Sequence, residues 1–252
     1  YSSAGNTDAN DIVWSYNLSW NNREGHFTHG NSRGDKIYNL TDYGSGIGLR
    51  IGYPGDTGTT EVTAVKNSIF SNSTTYGVVF GDEDATLTAF TNNNVYGAGI
   101  ANYNGMTDPT GTNSNISSDP FFTSTVTPDF HLLSTSPAIN AGTTIAGLTS
   151  DYEGNPVPSG LLPDIGAYEY QDVTAPTGGS FTINSNDLYT ASTSATLNIT
   201  CPTDPWTPIQ MAYGDSLNPT NWETCAASKL WTLPTGDGTK TVHMRFRDGG
   251  LV

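Results

Sequence analysis

The run Gly25-His26-Phe27-Thr28-His29-Gly30 holds two imidazoles three residues apart, and Arg50 follows in a later run of similar pattern. Imidazole exchanges protons near neutral pH, and a guanidinium neutralises a carboxylate. A base and a cation on one surface are what abstraction of a proton beside a uronate carboxylate requires. The same residues also read as solvated surface groups, and the spacing leaves open which histidine points outward. Asp82-Glu83-Asp84 is the densest acidic run. It suits a solvated turn or loose calcium binding. It does not suit a glycosidase pair, whose carboxylates stand about 5–9 Å apart across a sugar groove. His131 lies in a strand-like run with a structural role, and there is no Ser/His/Asp nucleophile motif, phosphate loop or zinc spacing.

The elements that must position these residues are short and β-prone. Through residue 170 no stretch keeps the i, i+3, i+4 spacing of an amphipathic helix, and short apolar runs alternate with Gly, Asn, Asp and Pro. The runs repeat. Lys66-Asn67-Ser68-Ile69-Phe70 returns as Asn92-Asn93-Asn94-Val95-Tyr96, with earlier copies at Lys36-Ile37-Tyr38-Asn39 and Asn17-Leu18-Ser19-Trp20. Gly48-Leu49-Arg50-Ile51-Gly52 returns as Gly77-Val78-Val79-Phe80-Gly81. Repeats of this length predict a solenoid of about four coils, with Leu49 and Ile51 facing the lumen beside Val78 and Phe80, and Arg50 and Val79 facing out. Trp14, Tyr16, Trp20, Tyr38, Phe70 and Tyr96 recur near one coil phase, as a stack inside the solenoid or a sugar-stacking row outside it.

The 252 residues carry nine Lys/Arg against 24 Asp/Glu, a formal charge of -15, and only 13% of residues are charged. No Lys or Arg stands between Lys66 and Lys229. Nucleic acid is excluded as a partner, since phosphate neutralisation needs clustered cations. No apolar run approaches the roughly 18 residues of a membrane span. Solubility resting on hydroxyls, amides and carboxylates is the habit of exported bacterial surface proteins. The first residues, Tyr1-Ser2-Ser3, read as those of a piece of a longer chain.

The repeats (Asn-x-Ile-aromatic, then Gly-Ile/Val-x-Ile/Phe-Gly) resemble the right-handed parallel β-helix superfamily of pectate-lyase-like architecture over about residues 11–105. That resemblance implies polysaccharide-active or polysaccharide-contacting relatives. Beyond it come Ser118-Asp119-Pro120-Phe121-Phe122, Asp129-Phe130-His131-Leu132-Leu133 and Ser136-Pro137-Ala138-Ile139-Asn140-Ala141-Gly142. Asp151-Tyr152-Glu153-Gly154-Asn155-Pro156 and Pro163-Asp164-Ile165-Gly166-Ala167-Tyr168-Glu169-Tyr170 complete the series. Together they resemble the carboxy-terminal cap of exported bacterial β-helix proteins with various surface anchors. The expected organisation is a β-helix with its cap over 1–171 (cap about 118–171), a linker over 172–178 and a second module over 179–252. Asp151, Glu153, Asp164 and Glu169 are expected to fasten cap turns through backbone hydrogen bonds.

The second module shows short alternating strands about ten residues apart, near 179–183, 194–200, 209–213, 228–232 and 239–247, the pattern of a β-sandwich. Lys229 to Asp248 resembles the penultimate hairpin of bacterial immunoglobulin-like domains, which implies one further strand at that sheet edge. A fragment boundary, or a strand supplied by another chain, would account for its absence. Cys201 and Cys225 are the only cysteines; an even pair in an exported chain reads as a disulfide, with two buried thiols as the alternative. Sequons stand at Asn17, Asn39, Asn72, Asn115 and Asn198. The expectation is thus an all-β surface protein, structural or adhesive and non-catalytic. It would contact glycans, or copies of itself through the edge over 239–248. A uronate-polysaccharide lyase using His26, His29 and Arg50 is the alternative.

Overall fold

Left-handed backbone recurs at two fixed places. Tyr16, Asn39, Asn67 and Asn92 have φ between 50 and 54°, and five residues after each come Asn21, Gly44, Asn72 and Gly97 with φ between 52 and 70°. Asn and Gly tolerate this region where other side chains clash with the backbone, so each pair of corners brackets a three-residue strand. Because the corners recur, the chain turns the same way each time and stacks on itself. The computed structural model describes residues 9–30, 32–55, 58–81, 84–204, 206 and 208–249.

Three parallel sheets result. The first holds Ala9–Asn10 and Val13–Ser15, then Ser32–Tyr38, Glu61–Lys66 and Thr86–Thr91. The second, between the corners, holds Leu18–Trp20, Thr41–Tyr43, Ile69–Ser71 and Asn94–Tyr96. The third holds Glu24–Thr28, Ile47–Ile51, Tyr76–Phe80 and Ala101–Asn104. The chain makes about three turns of a parallel β-solenoid from the first strand level to the last. Every strand is extended, and the described residues contain no helix.

Register decides what fills the lumen. Trp14, Ile37, Val65 and Phe90 form one column. Ser19, Asp42, Phe70 and Val95 form the second. His26, Leu49, Val78 and Tyr103 form the third. The upper two levels make an apolar core, while the first offers Trp14, Ser19 and His26 and the second sets Asp42 beside Ile37 and Leu49. Gly25, Gly48 and Gly77 stand at one register position of the third sheet, where an added Cβ would crowd Asp42, Phe70 or Val95.

The expected neighbours Leu49 with Val78, Arg50 with Val79 and Ile51 with Phe80 are paired. The Asn-rich repeat is one residue out of step, because Phe70, not Ile69, pairs with Val95. Ile37 pairs with Val65, not Ile69. An apolar residue stands on each side of the Asn corner, so matching Ile to Ile joins a strand before the corner to one after it.

Residues after Ile116 run back along the outer side of the second sheet. Phe122, Phe130, Leu132, Ala138 and Ile165 form a second apolar core with Ile69, flanked by Leu18 and Tyr43. Asn39 Nδ2 donates to the carbonyls of Asp164 and Gly166, and Asn67 exchanges hydrogen bonds with Thr143. Asp151, Asp164 and Glu169 are buried and accept backbone N–H groups of Glu153, Asn155, Asn140, Tyr170, Ser159 and Asp164. The expected fastening of turns therefore describes these three. Glu153 instead faces His131 at 3.2 Å.

The chain divides into two units, Tyr1–Tyr170 and Gln171–Val252. In the second, Ser180–Ile183, Ser194–Thr200 and Ser228–Thr232 form one antiparallel sheet. Gln210–Gly214, Glu223–Thr224 and His243–Arg247 form another. Leu197, Ile199, Met211, Trp231, Met244 and Phe246 share one core between them. Cys201 and Cys225 are joined as a disulfide.

Candidate functional site

The third sheet carries the residues singled out for chemistry and separates them. His26 pairs with Leu49 and so faces the lumen, where its ring meets Trp14 edge-on at 5.2 Å. Its Nε2 is enclosed and makes no hydrogen bond, and burial lowers its pKa to about 4. His26 is thus a neutral core side chain, and the expected trio of His26, His29 and Arg50 does not form.

Phe27, not a histidine, pairs with Arg50 on the outer face. Phe27 is 47% exposed and stacks on exposed His29 with ring centroids 5.5 Å apart. Tyr53 stands edge-on to both rings, at 6.3 Å from Phe27 and 5.5 Å from His29. Arg50 lies beneath, its Cζ 4.7 Å from the Tyr53 centroid and its Nε donating to Glu24 Oε1 at 2.8 Å. The Tyr53 hydroxyl donates to the other Glu24 oxygen. Burial and the Glu24 carboxylate raise the Tyr53 pKa. The Arg50 and Glu24 side chains are only 14% and 8% exposed, so the pair is an internal brace for an aromatic surface. This brace was missed in the sequence because Glu24 and Arg50 lie 26 residues apart, and only the coil register makes them neighbours.

Asp82 and Glu83 lie outside the described residues, and Asp84 is an exposed turn residue. Among the described residues one acidic group has its ligand atoms gathered within 4.8 Å: Asp172, Asp204 and Asp248 in the second unit. Oxygens so spaced can share a hard cation such as calcium. Asp172 Oδ1 already accepts from Thr174, and Asp204 Oδ1 from the Trp206 N–H.

His131 bonds Asp129 through Nδ1 at 2.6 Å and Glu153 through Nε2 at 3.2 Å, and stacks on Tyr168 at 4.0 Å. Burial lowers its pKa, but the two carboxylates outweigh that and the net shift is upward. Both ring nitrogens are occupied, so His131 fastens the segment, as expected.

The sequons divide by burial. Asn39 and Asn115 are each 1% exposed, and their amides are hydrogen-bonded inside the protein, which closes both to glycosylation in the folded state. Asn17 is half-buried, while Asn72 and Asn198 are exposed. The aromatics form no single row: Phe70 fills the lumen, whereas Trp20 packs on Phe130 at 6.0 Å.

No helix among the described residues is long and apolar enough to cross a membrane. The disulfide belongs to the chemistry of an oxidising compartment. Comparison with protein families, curated proteins and solved structures returns no match for this chain.

Proposed function

We propose that this protein is an extracellular structural and adhesive module, glycan-facing and non-catalytic, and part of a larger surface assembly. On this reading the solenoid is a right-handed β-helix of pectate-lyase-like kind, residues 118–171 are its cap, and the second unit is an immunoglobulin-like sandwich. The observation that carries it is the outer face of the third sheet. Phe27, His29 and Tyr53 present an aromatic surface, while Arg50 beneath them is committed to Glu24. Aromatic faces stack on the C–H faces of sugars without any catalytic group. A lyase would need Arg50 to meet a substrate carboxylate and a base to stand beside it. Glu24 competes for the first; of the two histidines His26 faces the lumen, and His29 is stacked on Phe27.

The test is affinity electrophoresis through gels containing neutral and uronate polysaccharides, paired with an assay for unsaturated uronate products. Retardation that Phe27→Ala weakens, without product, is the expected result. Product formation that is lost in His29→Ala would overturn the reading in favour of a lyase. Self-association belongs to the same proposal. The strand His243–Arg247 pairs on one side only among the described residues, and sedimentation at rising concentration tests whether that edge recruits a second chain.

A further inference from the structure

The second unit carries a basic face in an otherwise acidic chain. Met244 and Phe246 point into the core, so His243, Arg245 and Arg247 alternate onto the opposite side of the strand. Trp222 lies under both arginines, with Arg247 Cζ 4.3 Å and Arg245 Cζ 5.5 Å from its ring. Arg247 Nε donates to Gln210 Oε1 at 2.7 Å, which fixes that guanidinium on the indole. Among the described residues neither arginine meets a carboxylate, although acids outnumber Lys/Arg by 24 to nine. Glu223, beside Trp222, is taken by Lys229 at 2.8 Å.

Stacking uses the flat face of a guanidinium and leaves its in-plane N–H groups pointing outward. Arg247 spends one donor on Gln210 and keeps the outer fork; Arg245 is exposed. Two such forks, two residues apart on a strand, stand about 7 Å from one another. Each fork fits one carboxylate bidentately, and a pair at this spacing fits a repeating anion better than a single one. We infer that the Arg245–Trp222–Arg247 face binds the carboxylate groups of an acidic polysaccharide. The inference rests on the glycan-facing reading but on a different unit and different residues. Charge complementarity selects the occupant: two unspent cations answer one carboxylate per sugar, whereas the chain's net charge of -15 opposes the far denser charge of a nucleic-acid duplex, about one per 1.7 Å.

The test uses the full chain in affinity gels containing polygalacturonate or uncharged dextran, with sedimentation run alongside. Polygalacturonate should retard the protein, less so as salt rises. Arg245→Gln and Arg247→Gln should each weaken binding to polygalacturonate about tenfold, while any retardation by dextran stays as it is in the native chain. Arg→Lys variants, which keep charge but lose the fork, should fall between, and they serve if a Gln variant does not fold. Polygalacturonate binding that survives both Gln substitutions overturns the inference and leaves the glycan-facing reading standing. So does retardation by dextran alone. Retardation in neither gel defeats both. Arginine variants that change sedimentation but not retardation would make this face a contact between copies of the chain and overturn the inference.

Discussion

Single buried groups set how this protein should respond to pH. His26 is neutral in the lumen with its pKa lowered to about 4, whereas in the unfolded chain it titrates near 6.5. Between those values only the unfolded state holds the proton, so His26 makes the first unit lose stability as pH falls from 6.5 toward 4, by about 3 kcal/mol. Asp42 works in the opposite sense. Burial raises its carboxyl to about 7 despite hydrogen bonds from Ser19 and Ser45, so its contribution is lost as pH rises from 3.8 toward 7, by roughly 4 kcal/mol. His26→Leu, matching Leu49 one level on, should therefore gain on the native protein as the buffer is acidified. Asp42→Asn should gain on it as the buffer is made neutral. Chemical denaturation across pH 4–8 reads both; variants that keep a constant offset from the native protein would show that neither group titrates as its burial requires. Arg50→Ala should destabilise the first unit by about 2 kcal/mol or more, because it strands Glu24 at 8% exposure.

At the scale of elements, the corners and the disulfide carry separable loads. Asn72 is an exposed corner residue with φ of 54°, so Asn72→Gly should be nearly neutral and Asn72→Val should cost about 1–2 kcal/mol. Asn67 turns the same kind of corner but also bonds both backbone groups of Thr143, so Asn67→Gly should destabilise where Asn72→Gly does not. Thermal unfolding of the three variants distinguishes a bend from a bend that also fastens the returning segment. Replacing Cys201 and Cys225 by Ala opens a loop with a sequence separation of 24 and should cost the second unit about 3 kcal/mol. The transition of the first unit should stay where it is, and calorimetry would expose a joint loss. The strands Ser194–Thr200 and Ser228–Thr232 stand where their alternation placed them. By contrast, the last expected strand, 239–247, begins only at His243. Gly236 and Gly238 take positive φ in the turn ahead of it, so the alternation of Thr239 to Val242 is spent before the ladder begins.

At the scale of the whole molecule, a charge of -15 repels itself, and raising monovalent salt should stabilise the chain until the repulsion is screened. A melting temperature that falls with salt would mean that local ion pairs such as Glu24–Arg50 outweigh the general field. The amino-acid sequence alone dictates the class of fold: recurring Asn and Gly force left-handed corners, and a pair of corners five residues apart in every coil winds a β-strand chain into a solenoid. It dictates equally that Leu49, Ile51 and Val78 are inside, since alternation along a strand is a local property. Partnership across coils, by contrast, is settled only by three-dimensional packing. Whether His26 or Phe27 stands beside Arg50 depends on a register of one residue, and a one-residue shift reverses every side chain in the strand. The Glu24–Arg50 brace, the return of residues 118–170 along the second sheet and the stacking of two arginines on Trp222 join residues distant in sequence. No local pattern encodes such contacts; they exist because tertiary packing, parallel in the solenoid and antiparallel in the second unit, brings distant segments together.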